Sequence, residues 1–356
     1  MIAGRIPALQ ATLVEDDVAA LVVTHLPNIR YLCGFTGSHA RLLVAGDDVV
    51  LVTDGRYRDQ ADAELDAAGV EAELVVTAEP VAAALEARVA ACPGIAVEST
   101  TPWSEVRAMA DAWGCELVPR GGAVEAMRAV KDPDEIDVIR RAVELADASL
   151  STVLGGAGPA ATEAELALAL EWEMRTRGAS GAAFDVIVAA GPHAALPHAT
   201  PRPEVVGRDR MVVVDFGCVV DGYCSDCTRT FCWGEPHPDL AEAWDVVAGA
   251  QDAARAALAP GVLASEVDAA AREVVTAAGL GDCFVHGTGH GVGLEIHEKP
   301  RLSARSDEVL EAGMVVTIEP GVYVGGLGGV RLEDVVVVTA AGCETLTTSP
   351  REMLAP

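Results

Sequence analysis

Short apolar β-rich runs alternate with alanine-rich stretches over the first third of the chain. The runs are Leu21 to Thr24, Val49 to Thr53, Leu74 to Thr77, Ile95 to Glu98 and Leu117 to Pro119, and the intervening stretches include Ala61 to Ala68 and Val81 to Ala91. This alternation predicts an α/β domain built on a mixed sheet. Arg41 to Val44 and Val49 to Thr53, joined across Gly46-Asp47-Asp48, read as a hairpin within it. Around Gly121-Gly122 the pattern changes. Lys131-Asp132-Pro133-Asp134-Glu135 then opens a long amphipathic helix, with proline near its start, acids in its first turn and Ile136, Ile139, Val143 and Leu145 following. The expected domains are therefore 1–125 and 126–356. Further helices are predicted at about 162–177, 239–258 and 264–278, the first opened by Thr162 with Glu165 as in a capping box.

The β segments among these helices carry nearly all the unusual polar residues. Val212-Val213-Val214-Asp215-Phe216-Gly217 turns at Asp221-Gly222 into Tyr223-Cys224-Ser225-Asp226, and an Asp-Gly pair between apolar runs is a strong hairpin signal. A two-residue loop there pairs Gly217 with Asp226 and Asp215 with Thr228. Both carboxylates then share one face of the sheet as diagonal neighbours. Like charges so placed resist simultaneous ionisation and want cations between them.

Composition narrows the setting. With 51% hydrophobic residues in 356 the chain is globular, and its formal charge of -29 argues against nucleic-acid and anionic-membrane partners. No apolar run approaches the roughly 20 residues needed to cross a bilayer, and MIAGRIPALQ lacks a basic segment followed by a signal-peptide core. A cytoplasmic protein is expected. Nine scattered cysteines suit a reducing compartment. Cys224 and Cys227 form a CxxC, but a strand points them to opposite faces, so they read as ordinary strand cysteines. His25 and His39 in the first domain read as surface or packing residues.

Three further segments carry chemistry: His286-Gly-Thr-Gly-His290-Gly-Val-Gly-Leu-Glu-Ile-His297, Thr317-Ile318-Glu319-Pro320-Gly321, and Val330-Arg331-Leu332-Glu333-Asp334. Glu319 and Glu333 adjoin apolar β runs, where an ionised carboxylate is costly unless paired or coordinated. Arg331 alone cannot neutralise two glutamates and two aspartates. The candidate set Asp215, Asp226, His290, Glu319 and Glu333 offers four carboxylates and one imidazole. Such a set matches two divalent cations, and its nearly all-oxygen donors fit manganese or cobalt better than a thiolate-rich zinc site. Paired cations acidify water and polarise a carbonyl together, which is hydrolytic machinery. Gly287, Gly289, Gly291 and Gly293 lack the lysine and following helix of a phosphate loop and read as backbone freedom near the metals.

In order and motif the chain resembles the pita-bread metallopeptidases, the family of methionine aminopeptidase, aminopeptidase P and prolidase. The matching segments are Val-Asp215-Phe-Gly, Ser-Asp226-Cys-Thr-Arg-Thr, His286-Gly-Thr-Gly-His290, Ile-Glu319-Pro-Gly and Arg331-Leu-Glu333-Asp, and Asn28-Ile-Arg-Tyr-Leu-Cys-Gly-Phe-Thr-Gly-Ser resembles the creatinase-type N-terminal domain. The resemblance implies an α+β chain, a creatinase-type α/β domain followed by a pita-bread catalytic domain. It implies that Asp215 binds one metal, Asp226 and Glu333 bridge both, and His290 and Glu319 hold the other, with Glu319 also shuttling a proton. Gly191-Pro192-His193-Ala194-Ala195-Leu196-Pro197-His198 resembles the loop that delivers a substrate-contacting histidine, here His198; His297 and Arg331 complete the catalytic set by similarity. Arg331 orders that network or meets a substrate carboxylate. His286 is a candidate to support a ligand from behind. No role is assigned to His193, where the family often has asparagine, or to Tyr323.

The resemblance implies a dinuclear exopeptidase acting before proline on proline-containing peptides, with two divalent ions, manganese by expectation and cobalt or zinc as alternatives, and a homodimer. Aminopeptidase P, releasing the N-terminal residue of Xaa-Pro-peptides, is preferred over prolidase, which cleaves the Xaa-Pro dipeptide. The remoter readings are a non-catalytic binding protein on the same fold and metal-dependent chemistry on a non-peptide substrate.

Overall fold

The computed structural model describes residues 2–90, 92 and 94–353. The chain divides into two compact units, Met1–Arg128 and Ala129–Pro356. Among the described residues no helix is long and apolar enough to cross a membrane.

The first unit carries a six-stranded mixed sheet in the spatial order Glu73–Val76, Asp48–Thr53, Ala40–Ala45, Ala20–Val23, Ile95–Glu98, Leu117–Arg120. Its centre is antiparallel, and the three outer pairings are parallel. Helices Arg58–Ala68 and Trp103–Trp113 make two of the crossovers that parallel pairing requires. The central hairpin forms with Ala45 paired to Asp48, a turn one residue tighter than the sequence pattern suggests. The stretch from Val81 is helical to Val89, and Ala91 lies outside the described residues. Pattern reading passes over the helix Leu26–Cys33, because its start is fixed from a distance: the Glu98 carboxylate accepts the Thr24 and His25 N–H groups and the Asn28 amide. An acid at a helix N-terminus meets both orphan donors and dipole.

The second unit holds two helix pairs, each packed on antiparallel strands. Helices Pro133–Gly156 and Glu163–Thr176 bury Ala146, Leu150, Leu166 and Leu170 against Ile187–Ala190, Met211–Phe216 and Cys227–Cys232. Helices Pro238–Ala257 and Ala264–Ala277 bury Val247, Val267 and Val275 against Val315–Ile318, Gly321–Val324, Gly328–Arg331 and Asp334–Thr339. The expected capping box of Thr162 and Glu165 is present on the second helix, and Asp132 and Glu135 cap the first in the same reciprocal way. The two strand sets are stitched where Thr230 Oγ1 donates to the Arg331 carbonyl and Thr228 O accepts from Glu333 N–H.

The aspartate hairpin turns at Asp221-Gly222, both with positive φ (46° and 82°), as a type I′ turn demands. Asp215 pairs with Thr228 as expected. The Gly217–Asp226 pair is not formed. Instead the ladder opens between the Phe216–Cys227 and Val219–Cys224 pairs, with Cys218 bonded to Ser225 and Gly217 O to Ala183 N–H. Gly217 permits this, since a Cβ there would lie 2.0 Å from Ser225 O. Register is kept on both sides of the gap, and the gap frees Asp226 from the ladder.

Glycines near His290 work by close approach rather than by conformational freedom, which corrects the sequence reading. None of Gly287, Gly289, Gly291 and Gly293 has positive φ. A Cβ on Gly289 would lie 2.0 Å from Thr317 O, and one on Gly291 2.1 Å from Lys299 O. The backbone carrying His290 is thus pressed between its neighbours. Gly289→Ala is expected to destabilise the protein by about 1–3 kcal/mol through overpacking, whereas Gly325→Ala, which meets nothing within 4 Å, should change stability by less than about 0.5 kcal/mol. Urea denaturation of the two variants checks the contrast.

Candidate metal centre

Each carboxylate of the predicted set stands where regular pairing ends or breaks. Asp215 is the last but one residue of Met211–Phe216, Asp226 precedes Cys227–Cys232, Glu319 follows Val315–Ile318, and Glu333 lies between Gly328–Arg331 and Asp334–Thr339. His290 sits in Gly289–Gly291, at a register shift in the pairing with Glu298–Leu302. Strand ends fix a side chain's position through the sheet while leaving its functional atoms to the site.

Asp226, His290 and Glu333 each bring a ligand atom within 4.8 Å of the others. His290 Nε2 lies 3.4 Å from Glu319 Oε1 and 3.7 Å from Asp226 Oδ2. Asp215 is turned onto Arg331, which donates from Nη2 to Oδ2 at 2.5 Å, while its Oδ1 is buried with no partner. Among the described residues the tight cluster therefore holds three of the five, with Glu319 against His290 and Asp215 held by the arginine.

The chemistry of these donors fits a cation. His290 Nδ1 faces the Gly291 carbonyl at 3.0 Å, and a carbonyl only accepts, so the ring proton is on Nδ1 and Nε2 carries a lone pair. Burial pushes this imidazole down to about 4, so it is neutral near pH 7. An unprotonated nitrogen thus points at two carboxyl oxygens, which face it favourably by holding a proton or by sharing a cation with it. Burial, followed by the charges of Glu333, Asp215 and Glu319, holds the Asp226 carboxyl well above the usual range. Glu333 is raised in the same way, by burial and then by Glu319 and Asp215. Burial lifts Glu319 to about 7. Without cations these acids keep protons; divalent ions would replace them.

Around the carboxylates runs a directed hydrogen-bond chain. Arg331, itself buried, donates from Nε to Thr228 Oγ1 at 3.0 Å, and the Thr228 hydroxyl donates to Glu333 Oε2 at 2.7 Å. From Nη1 it donates to Tyr323 OH at 2.7 Å and to the Pro197 carbonyl at 3.2 Å. Tyr323 OH in turn meets His286 Nε2 at 2.9 Å, and His286 Nδ1 faces the Gly287 carbonyl at 2.8 Å. Burial lowers His286 to about 4 and leaves its Nε2 free to accept from the tyrosine. Arg331 thus makes four side-chain hydrogen bonds within the protein, and these support the ordering use of its two expected ones.

His297 is exposed and packs edge-on against His290, ring centroids 4.3 Å apart. His198 is also exposed and bears electrostatically on both His286 and His297. Arg301 is exposed as well, pairs with His290 across the strands and acts on both His290 and His297. Cys224 and Cys227 are free, buried thiols, and burial pushes Cys224 up to about 12.

Sequence reasoning missed several supports. Tyr323 joins His286 to Arg331 and does more than pack. Asp268, wholly buried in its helix, accepts the Thr288 N–H and hydroxyl and two bonds from Arg272, which donates to the His286 carbonyl. Only an acid on the apolar face of a predicted helix could have signalled it. Thr317 and Arg301 gave no local signal.

Comparison with known proteins follows the same division of the chain. Residues 137–340 match the model of metallopeptidase family M24, and residues 5–130 match the creatinase/prolidase N-terminal domain. The chain is 32% identical to a Xaa-Pro dipeptidase of Pyrococcus horikoshii over 96% of its own length and 95% of that protein's. The solved structure of a Xaa-Pro dipeptidase from Bacillus anthracis superposes with a TM-score of 0.95 at 37% identity, covering 99% of each chain. That of an X-Pro aminopeptidase from Thermotoga maritima superposes with a TM-score of 0.85 at 35% identity, covering 95% of this chain and 97% of the other. The architecture is the expected creatinase-type unit followed by a pita-bread metallopeptidase unit, and the family binds divalent metal. On its motifs, its fold and these matches, the chain belongs to metallopeptidase family M24.

Proposed function

We propose that this chain is a Xaa-Pro dipeptidase with two divalent cations, manganese by preference, held by Asp215, Asp226, His290, Glu319 and Glu333. The observation that carries the reading is the buried, mutually repelling carboxylate set facing a neutral imidazole lone pair, a donor set that divalent cations match. Bound there, the cations would supply acidified water and polarise the scissile carbonyl. Glu319 takes up and returns a proton beside them. His198 and His297 donate to the carbonyl oxygen as charge builds on it. Arg331 holds Asp215 and, through Thr228, Glu333 in place.

The aminopeptidase P preference drawn from the motifs gives way here to the dipeptidase alternative. Named dipeptidases are matched over nearly the full chain, one at a TM-score of 0.95. A second support is Arg301, an exposed guanidinium beside His290 and His297 with none of the engagements that occupy Arg331. A cation paired across the strands from His290 suits the carboxylate of a dipeptide, which a longer peptide lacks at the same place. The aminopeptidase reading keeps one specific observation, the T. maritima match. The homodimer and the cytoplasmic setting stay as parts of the proposal, on the resemblance and the composition alone.

Hydrolysis of Ala-Pro compared with Ala-Pro-Ala decides between the two. The dipeptidase reading expects kcat/KM at least about tenfold higher for Ala-Pro, and Arg301→Ala should lower that value about 10- to 100-fold, the worth of a charge-assisted hydrogen bond. Preferred turnover of the tripeptide would restore aminopeptidase P.

The buried acids also set a pH dependence. A carboxyl raised in the folded state stabilises the fold fully below its unfolded value near 4 and loses that contribution as pH rises through the folded value, about 7 for Glu319. Metal-free protein should therefore melt at lower temperature at pH 8 than at pH 5, and added manganese should raise the midpoint more at pH 8. Scanning calorimetry showing metal-free stability that climbs over this range would contradict the assignment.

A further inference from the structure

The segment that carries His198 leaves strand Ile187–Ala190, passes through the short helix Gly191–Ala195 and rejoins the fold near Arg202. Both of its ends are fastened to one carboxylate. Glu163, the first residue of helix Glu163–Thr176, is 1% exposed. Its Oε1 accepts the Ala190 N–H at 2.9 Å and its Oε2 accepts the Arg202 N–H at 3.0 Å. The Arg202 guanidinium closes on the same group, Nη2 to Oε1 at 3.0 Å and Nε to Oε2 at 3.1 Å. His193 Nδ1 lies 2.9 Å from Oε2 and 3.1 Å from Oε1, inside the segment itself. In return the helix start donates to the segment's far end, Glu163 N–H to the Glu204 carbonyl and Ala164 N–H to the Arg202 carbonyl.

A buried carboxylate with this many donors is rigid. Burial pushes Glu163 up, but the bonds from Arg202, Ala190 and His193 more than offset it and hold the carboxyl below its usual range, so it is ionised. Next to His198, the Pro197 carbonyl is held by Arg331. His198 is thus carried between a clamp at both ends of its segment and the arginine that orders Asp215.

We propose that Glu163 is a positioning residue, which through Ala190, His193 and Arg202 sets the distance of His198 from the metal centre. The proposal rests on the assignment of His198 to the scissile carbonyl. It gives His193 a use the motif did not, as the imidazole that ties the short helix to the clamp. Glu163→Gln keeps the shape and removes the charge, so the Arg202 and His193 bonds weaken while the helix remains capped by Thr162 and Glu165.

The test is a double-mutant cycle with an independent structural readout. Glu163→Gln should lower kcat on Ala-Pro by about 10- to 100-fold, the size expected of a displacement near 1 Å, with metal content unchanged and KM altered less than kcat. In a His198→Ala background the same substitution should cost less than about threefold, because the group it positions is gone. Amides of residues 191–201 should exchange hydrogen faster in Glu163→Gln, with the rest of the second unit unchanged. Equal loss in both backgrounds, or unchanged exchange over 191–201, overturns the proposal. If Glu163→Gln fails to fold, Arg202→Gln, which spares the Ala190 and His193 bonds, carries the same two comparisons. Wild-type protein without activity on Xaa-Pro dipeptides overturns the functional reading and the catalytic part of this one, while the exchange measurement reports separately on the clamp.

Discussion

Burying several carboxylates together is the constraint on which the rest of the second unit depends. Asp226 and Glu333 are 5% and 2% exposed, and burial, followed by the charges of neighbouring carboxylates, raises the affinity of both for protons. In a medium of low polarisability such a group cannot stay ionised by itself. Among the described residues one buried cation, Arg331, touches the set, and it is engaged by Asp215, Tyr323, the Pro197 carbonyl and Thr228. Arg229, also buried, faces away, pairing with Asp334 and bonding the carbonyls of Thr228, Glu333 and Ser349. It fixes the backbone of Glu333 without neutralising its carboxylate. A shortfall of positive charge is therefore built into the fold, and divalent ions are the economical means of meeting it.

Bringing these acids together requires backbones closer than side chains normally allow. Gly217 lets the hairpin open beside Asp226, and Gly289 lets the His290 strand lie against Thr317. The ligands accordingly come from three parts of the sheet system that meet at their ends, and the threonines at those ends serve both structure and site. Thr228 and Thr317 each hold a candidate ligand by the hydroxyl while their backbones continue the sheet, Thr228 at 2.7 Å from Glu333 and Thr317 at 3.4 Å from Glu319. Geometry at the centre is set by packing in the sheets, and packing in the sheets is set by small residues next to acids.

Much of this was legible in the sequence because strong local signals coincided with the fold. Asp221-Gly222 marked the turn and so set Asp215 and Asp226 on one hairpin, Asp132 and Thr162 marked helix starts, and adjoining apolar runs marked Glu319 and Glu333. What local pattern could not supply was anything decided by partners distant in the chain. The Leu26–Cys33 helix depends on Glu98, and the break that frees Asp226 depends on Ser225 carbonyl contact rather than on turn chemistry. Tyr323 was given no role because its partners, His286 and Arg331, lie on separate segments. Arg301 gave no local signal, and its pairing opposite His290 is what gives it a direction. Glycines in the His286 to Gly293 run were read for their torsional freedom, although close approach needs glycine just as strictly.

The account stands or falls on cations occupying the acidic cluster. Anomalous difference density from crystals soaked in manganese, collected above and below the manganese edge, measures this directly. Two peaks about 3.5–4 Å apart between Asp226 and Glu333, one against Asp215 and the other against His290 and Glu319, are the predicted result. A single peak elsewhere, or no edge-dependent density at these carboxylates, would contradict it.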